Sequence, residues 1–271
     1  MQVILAVVTD SPYRGAVLAF GDDLARLVDG DLWTLTLTRR PSPDETEALA
    51  QVEGLGESAD EEAAALVPEG IGSGETEARP LHRVIRAAGA PIEAALRGLA
   101  HCDFGVVGKG LHAEPTGGAG IGPDVERLKG LSTKPLAIVP QEVRPIQRAL
   151  FVYTEHPESG HALSLALPLA QKGVAIELVT LIPSLGRTEL LGTGAGYLKA
   201  HNVPFDTLDA DCANCREDGG PVGEVLHHAK QENVDLVVMG GTRRGLVGRL
   251  LWPEMAREVV WNAHVPVLIW Y

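Results

Sequence analysis

Cysteine is scarce, three in 271 residues, which excludes a disulfide scaffold and fits a reducing compartment. Long apolar runs are missing too. No stretch approaches the roughly 18 residues that a bilayer span needs; the longest uncharged, apolar-rich segment, 159–171, contains Gly, Ser, Pro and His. Positive charge is in short supply: 23 Lys and Arg face 36 Asp and Glu, a formal charge of -13. A surface of that sign repels phosphate backbones, so general DNA or RNA binding is not expected. No basic leader precedes the first apolar run, and no signal peptide is expected. Gly-x4-Gly-Lys-Ser/Thr, Gly-x-Ser-x-Gly and His-Glu-x2-His are absent, which removes the phosphate loop, the serine-hydrolase elbow and the zinc-protease helix. What remains, 45% apolar and 22% charged, can bury a core. The expectation is an acidic, cytoplasmic globular protein.

The chain repeats itself. Val3 to Val8 is a continuous apolar run, the mark of a strand buried on both faces in a parallel sheet. It leads into Thr9-Asp10-Ser11-Pro12, a helix pattern over 14–28 and a strand over 32–38. About 145 residues on, a strand at 149–153 leads into Thr154-Glu155-His156-Pro157, a helix pattern over 160–172 and a strand over 174–181. The ends of the two halves match as well. Cys102-Asp103-Phe-Gly-Val-Val-Gly108 resembles Val234-Asp235-Leu-Val-Val-Met-Gly240. Each follows a helix (91–100 and 222–233) and precedes a glycine-bearing loop, a short helix and a Pro-led strand. Two copies of an α/β unit, 1–140 and 147–271, therefore fill the chain. Alternating strands and helices imply parallel sheets with helices on both faces, and such sheets bind ligands at the carboxyl ends of the strands, where the order switches. Only the first copy carries an acidic insertion, eleven acids and one base between Pro41 and Pro80. It reads as a solvated helix over 44–67, bent at Gly54 and Gly56, or as an acidic docking surface.

The segment Val234-Asp-Leu-Val-Val-Met-Gly-Gly-Thr-Arg-Arg-Gly-Leu-Val-Gly, running on to Val265-Pro-Val-Leu-Ile-Trp270, resembles the C-terminal block of universal stress proteins. Residues 103–139, with Gly120-Ile-Gly-Pro-Asp-Val-Glu-Arg-Leu-Lys129, are similar in a weaker form. The resemblance implies two tandem five-stranded parallel-sheet sandwiches, Rossmann-like and akin to the adenine nucleotide alpha hydrolases, paired through their last strands as a homodimer of single-domain relatives would be. It also implies a Gly-x2-Gly-x9-Gly-Ser/Thr loop under ATP phosphates, an Asp after the first strand on the ribose or adenine side, and a backbone contact to adenine near the end of the second strand. Glycines there let backbone N–H groups approach the anion, and the hydroxyl adds a donor.

Both loops depart from that pattern. Gly240 matches the first glycine of the second half, but Arg243 stands at the second, and the closing Gly-Ser falls on Pro253-Glu254. Proline has no N–H to offer, and a carboxylate repels a triphosphate. In the first half Gly108 and Gly110 open the loop one residue out of register; Gly122 closes it and Pro123 replaces the hydroxyl. Lys109 and the run Gly117-Gly118-Ala119-Gly120 could still cradle an anion. The Asp position holds Thr9 and Thr154, each followed by an acid, Asp10 and Glu155. Leu37 and Leu181 fall at the adenine contact. ATP is thus possible in the first half and not expected in the second.

Cys212-Ala-Asn-Cys215 offers half a tetrahedral zinc site, a redox pair, or two plain loop thiols; no zinc is expected, because two ligands leave half the sphere unassigned. Cys102 reads as a core thiol. Of His227 and His228, at least one should be solvated. Gly-Leu-Gly at 54–56 and Gly-Thr-Gly-Ala-Gly at 192–196 read as bends, and Arg243, Arg244 and Arg249 as a solvated basic loop. The reading is a non-enzymatic tandem universal stress protein, a stress-response module with degenerate loops acting on an unidentified protein partner. The alternatives are an ATP-binding, slowly hydrolysing protein using the first half, and a metal or redox sensor at Cys212 and Cys215. A homodimer is possible; membrane binding is not expected.

Overall fold

Asp103 and Asp235 begin the same construction twice. The carboxylate Oδ2 of Asp103 accepts the Val3 amide at 2.8 Å, and its own N–H donates to the Val3 carbonyl at 2.8 Å. Oδ2 of Asp235 accepts the Arg148 amide at 3.1 Å, and its N–H donates to the Arg148 carbonyl at 2.9 Å. Each aspartate thereby sets the register of two neighbouring strands. The computed structural model describes residues 2–38, 82–88, 91–111, 120–154, 157–180, 187–208, 220–241 and 252–270. The acidic insertion, Cys212, Cys215, Glu155, Leu181, Arg243, Arg244 and Arg249 lie outside the described residues.

The first copy comprises β1 (Val3–Val8), α1 (Arg14–Leu27), β2 (Asp31–Thr38), β3 (His82–Ala88), α2 (Pro91–Leu99), β4 (Phe104–Gly108), α3 (Pro123–Leu131) and β5 (Leu136–Val139). The second comprises β6 (Arg148–Tyr153), α4 (Pro157–Leu163), α5 (Ala166–Gln171), β7 (Ala175–Thr180), α6 (Arg187–Ala200), β8 (Asp206–Thr207), α7 (Gly220–Gln231), β9 (Leu236–Gly240), α8 (Trp252–Asn262) and β10 (Val267–Trp270). The fold is α/β with a large, mostly parallel sheet. Its order is β3-β2-β1-β4-β5-β10-β9-β6-β7-β8, which has the same pattern from either end. Every neighbouring pair is parallel except β5 and β10, which meet antiparallel with Ile138 opposite Val267 and Leu136 opposite Ile269. The two parallel five-strand sets thus share one continuous ten-stranded sheet through the two strands expected to meet.

Both faces of the sheet are covered, so the central strands read as unbroken apolar runs; β4 and β9 are buried at every position. Phe20, Leu24, Phe104, Phe151, Leu169 and Leu198 fill one face beneath α1, α4, α5 and α6. Leu99, Leu128, Val225, Val259 and Val260 fill the other beneath α2, α3, α7 and α8. The connection between the copies is pinned from each side: Asp23 on α1 accepts the Ile146 amide at 2.6 Å, and Asp235 accepts the Gln147 amide and pairs with Arg144, both at 3.1 Å.

Two local expectations need correction. The helix read over 160–172 is two helices, α4 and α5, parted at Ser164 and Leu165. Pro168 has no N–H for the residue-164 carbonyl and its ring crowds that turn; the chain crosses on short i→i−3 bonds instead, Ser164 to His161 and Leu165 to Ala162, both 3.1 Å. The glycines at 192–196 do not bend the chain but lie inside α6. Gly194 is packing, since a Cβ there would come within 3.1 Å of the Tyr153 ring and 3.3 Å of Leu178.

The two aspartates differ in load, and their variants should differ in stability. Asp235→Ala strands two backbone amides and Arg144, whereas Asp103→Ala strands one amide. A buried group left unpaired costs about 1–3 kcal/mol, and the Asp103 contact is exposed where the Asp235 contacts are part-buried, so Asp235→Ala should lower the free energy of urea unfolding by at least twice as much as Asp103→Ala. Equal losses would show that the second and third contacts of Asp235 contribute nothing.

Candidate functional site

The strand order reverses between β1 and β4 and again between β6 and β9. Open parallel sheets leave a crevice at the carboxyl ends of such strands. The register places Ala6 beside Val106 and Val152 beside Met239. Carried two residues on, it sets Val8 level with Gly108 and Thr154 level with Gly241. Most of the expected site residues within the described range therefore gather at these two crevices. Thr9 is half-buried and Asp10 is exposed to solvent. Leu37 is buried in the core, opposite Ala87 on β3. Gly108, Lys109, Gly110 and Gly122 come together, with the Gly122 amide donating to the Lys109 carbonyl at 2.6 Å.

At each crevice the side of the glycine where a Cβ would stand is taken by the chain itself. In the first, buried Tyr13 lies against the backbone of Gly108: a Cβ added to Gly108 would sit 2.6 Å from Tyr13 Cγ. In the second, the start of α4 does the same. A Cβ on Gly240 would sit 2.6 Å from both the amide nitrogen and Oγ of Ser159. The Ser159 and Thr154 hydroxyls are buried and hydrogen-bonded to each other at 2.6 Å. Beside them, at the carboxyl end of β7, Thr180 Oγ1 is buried with no partner among the described residues. Tyr13 and Ser159 were missed in the sequence, because nothing local marks a residue that packs on a glycine about 80 or more positions away.

The amino end of α3 offers an anion little. Pro123 has no N–H. The Gly122 amide is spent on Lys109, and the Val125 and Glu126 amides both donate to the Gly122 carbonyl at 3.0 Å. Asp124 and Glu126 already place negative charge in the first turn, where the helix dipole favours it. In α8, Pro253 and Glu254 likewise occupy the first turn.

Lys109 is buried, and its ammonium points across the sheet junction. Nζ donates to the carbonyls of Ala263 at 2.6 Å and Trp261 at 3.0 Å, at the carboxyl end of α8. Burial pushes its pKa down from 10.5 to about 8. His264, next in the chain, is lowered by desolvation and then by the nearby charges of Lys230, Arg144 and Lys109. Along α8 runs a surface groove of about 350 Å³ lined by Arg257, Glu258, Trp261 and Asn262. Elsewhere, Cys102 is a core thiol as expected; burial first, and Asp103 second, push it up to about 11 against the opposing charge of Lys134. His227 is exposed, while His228 Nε2 meets Glu177 Oε2 at 2.6 Å and Arg148 pairs with the other oxygen of that buried carboxylate. Among the described residues no group of His, Cys, Asp and Glu could hold a metal, and no helix is long and apolar enough to cross a membrane.

The lowered pKa of Lys109 fixes a sign. Below pH 8 both folded and unfolded chains hold this proton, and the folded state bears the full cost of burying it. Between about 8 and 10.5 the folded chain has lost the proton and the unfolded chain keeps it, so this contribution to stability rises with pH, by at most about 3 kcal/mol. The unfolding free energy of the wild type, measured against Lys109→Met from pH 7 to 10, should climb. A flat difference would mean that the ammonium is solvated.

Comparison with known proteins agrees with this architecture. Residues 215–270 match the model of the Universal stress protein family. A universal stress protein of Methanocaldococcus jannaschii is 38% identical over 52 residues, which is 19% of this chain and 31% of that relative; the chain thus matches under a third of the relative's length. Over nearly the whole chain the fold is that of a universal stress protein from Archaeoglobus fulgidus, with TM-score 0.68, 17% identity, and 98% and 97% of the two chains covered. A candidate universal stress protein from Pseudomonas aeruginosa UCBPP-PA14 has TM-score 0.59 and 15% identity, covering 100% and 93%.

Proposed function

We propose that the chain is a tandem universal stress protein, with domains at 1–140 and 147–271, and that it works as a non-enzymatic stress-response module through a protein partner in the cytoplasm. The match over 215–270, the whole-chain likeness in fold and the twofold repetition of strand order support the family reading. The observation that carries the functional reading is the packing of Tyr13 on Gly108 and of Ser159 on Gly240. Packing of this closeness on the backbone of both glycines supports crevices that hold no phosphate.

A second reading, ATP bound weakly in the first domain, is favoured by one observation: Gly108, Gly110 and Gly122 do converge, with Gly122 closing on Lys109. For it to hold, Tyr13 must leave and the α3 amides must be freed. One buried donor or acceptor left unmatched costs about 1–3 kcal/mol, and two such changes weaken a site by a few powers of ten.

Calorimetric titration of the intact chain with Mg-ATP should therefore show no micromolar binding, and no ATP should leave the purified protein on denaturation. Micromolar binding lost in Gly108→Val and kept in Gly240→Val would establish the first-domain ATP site instead. Stoichiometric hydrolysis would remove the non-enzymatic reading altogether.

A further inference from the structure

β9 and β10 are parallel, with Val237 opposite Val267. Val234 and His264, each three residues earlier, therefore lie level where α7 and α8 give way to these strands. Helix ends leave carbonyls unpaired and carry the negative end of the dipole, which draws cations. Three segments supply them here. Lys230 belongs to the last turn of α7 and is exposed. Arg144, on the connection between the halves, reaches the Val234 carbonyl at 3.5 Å and Asp235 at 3.1 Å, with more than half of its side chain exposed. Lys109 comes from the first half, onto the carbonyls of Trp261 and Ala263. His264, next to Ala263, is exposed, and these three are the charges that act on it.

Few acids are left to cancel that charge. The chain as a whole holds 36 acids against 23 bases, but here Asp235 is buried on two backbone amides and Arg144, and Glu232 lies 3.9 Å from Arg148. Glu142, exposed on the connection, remains. Among the described residues no ion pair takes up Lys230. A helix dipole accounts for a cation on the helix's own last turn; Arg144 and Lys109 arrive from elsewhere in the chain. The fold does not demand the imidazole, for Pro135 and Pro266 lead matching last strands and Thr133 stands where His264 does. The cations adjoin an aromatic wall. The groove along α8 is lined by half-buried Trp261 and by Asn262, two residues before His264. Its other lining residues, Arg257 and Glu258, are opposite in charge. Gly120, at φ 134°, fixes the indole from beneath, since a Cβ there would fall 2.8 Å from Cζ2. A ring held in this way is a preformed anchor that loses little entropy on binding.

We propose that the carboxyl end of α8 is where the chain docks its protein partner, and that the partner presents an acidic segment carrying an aromatic or large apolar residue; this rests on the reading of the chain as a module that works through a protein partner. The apolar residue lies along Trp261, and the flanking carboxylates face Lys230, Arg144 and His264. Charge complementarity selects the acidic segment. A chain of net charge -13 repels it over the surface as a whole, and the cations at the ends of α7 and α8 steer it to one place. The apolar wall selects a peptide over a free phosphate, which has nothing to lay on an indole. A nucleic acid is a longer polyanion than so small a patch offsets in an acidic chain.

Fluorescence anisotropy on the intact chain tests the surface with labelled synthetic peptides. One has glutamates flanking a phenylalanine; the second has serine for the phenylalanine; the third has lysines for the glutamates. The first should bind about tenfold tighter than either of the others, and added salt should weaken it. Lys230→Glu and His264→Glu, both at exposed positions, should each weaken it by about tenfold, since each adds repulsion where there was none. Lys199→Glu, exposed on α6 at the opposite face of the sheet, should leave it unchanged. Equal binding of the three peptides, or indifference to Lys230→Glu, would overturn the docking surface. So would inorganic phosphate that competes as well as unlabelled peptide, tighter binding to vesicles of anionic lipid, or self-association of the chain that Lys230→Glu removes. Failure of the peptides leaves untouched the Mg-ATP titration on which the module reading is tested, so the two fail separately.

Discussion

The antiparallel pairing of β5 with β10 is the constraint on which the rest of this molecule depends. Four-residue strands in the middle of a sheet contribute few hydrogen bonds, and only three residue pairs form the junction. Its weight comes from what it covers. Each half on its own would end in an exposed apolar edge strand, Leu136–Val139 or Val267–Trp270, which invites pairing with other chains. Joined, both strands are interior, every side chain of β5 is fully buried, and Phe104 meets Trp270 edge to face at 5.4 Å. Antiparallel pairing also turns one half upside down against the other. The carboxyl ends of β1 and β4 therefore lie at the same edge as the carboxyl end of α8, which is how Lys109 comes to reach a helix more than 140 residues away in sequence.

Glycine at a strand end carries two meanings that sequence does not separate. A phosphate needs a backbone with no Cβ in the way, and so does a helix packed hard against the sheet. At Gly108 and Gly240 the atoms that would collide with a side chain belong to Tyr13 and Ser159, so close packing by itself accounts for both glycines. The amino end of α3 makes the same point, with Gly122 present but its N–H spent on Lys109.

The fold was largely legible because its signals are local and doubled. Buried parallel strands write themselves as apolar runs, and Asp103 and Asp235 mark the same strand start twice. β3 was not visible, since His82-Arg-Val-Ile-Arg-Ala-Ala88 at the sheet edge mixes charge with apolar residues and leaves Val84 exposed. α6 was hidden by three glycines that read as turn formers; contact of Gly194 with Tyr153 and Leu178 decides its state, and such contacts have no local spelling. The site was legible as a place but not in its condition. Spacing found Gly108, Gly110 and Gly122 and suggested Lys109 as a cradle for an anion; the structure puts that ammonium on two carbonyls instead.

The repeated strand order also allows a comparison within one chain, of the features that occur in both five-strand sets and those that occur in one. The aspartate that registers the strands, the proline-led last strand and the glycine at the end of β4 and β9 appear in both. The residue after that glycine does not, and neither does the residue that ends the following helix. Lysine goes with alanine and glycine goes with serine. Lys109, holding the carbonyls of Trp261 and Ala263 across the sheet junction, ties the two five-strand sets together through a side chain that only one of them carries.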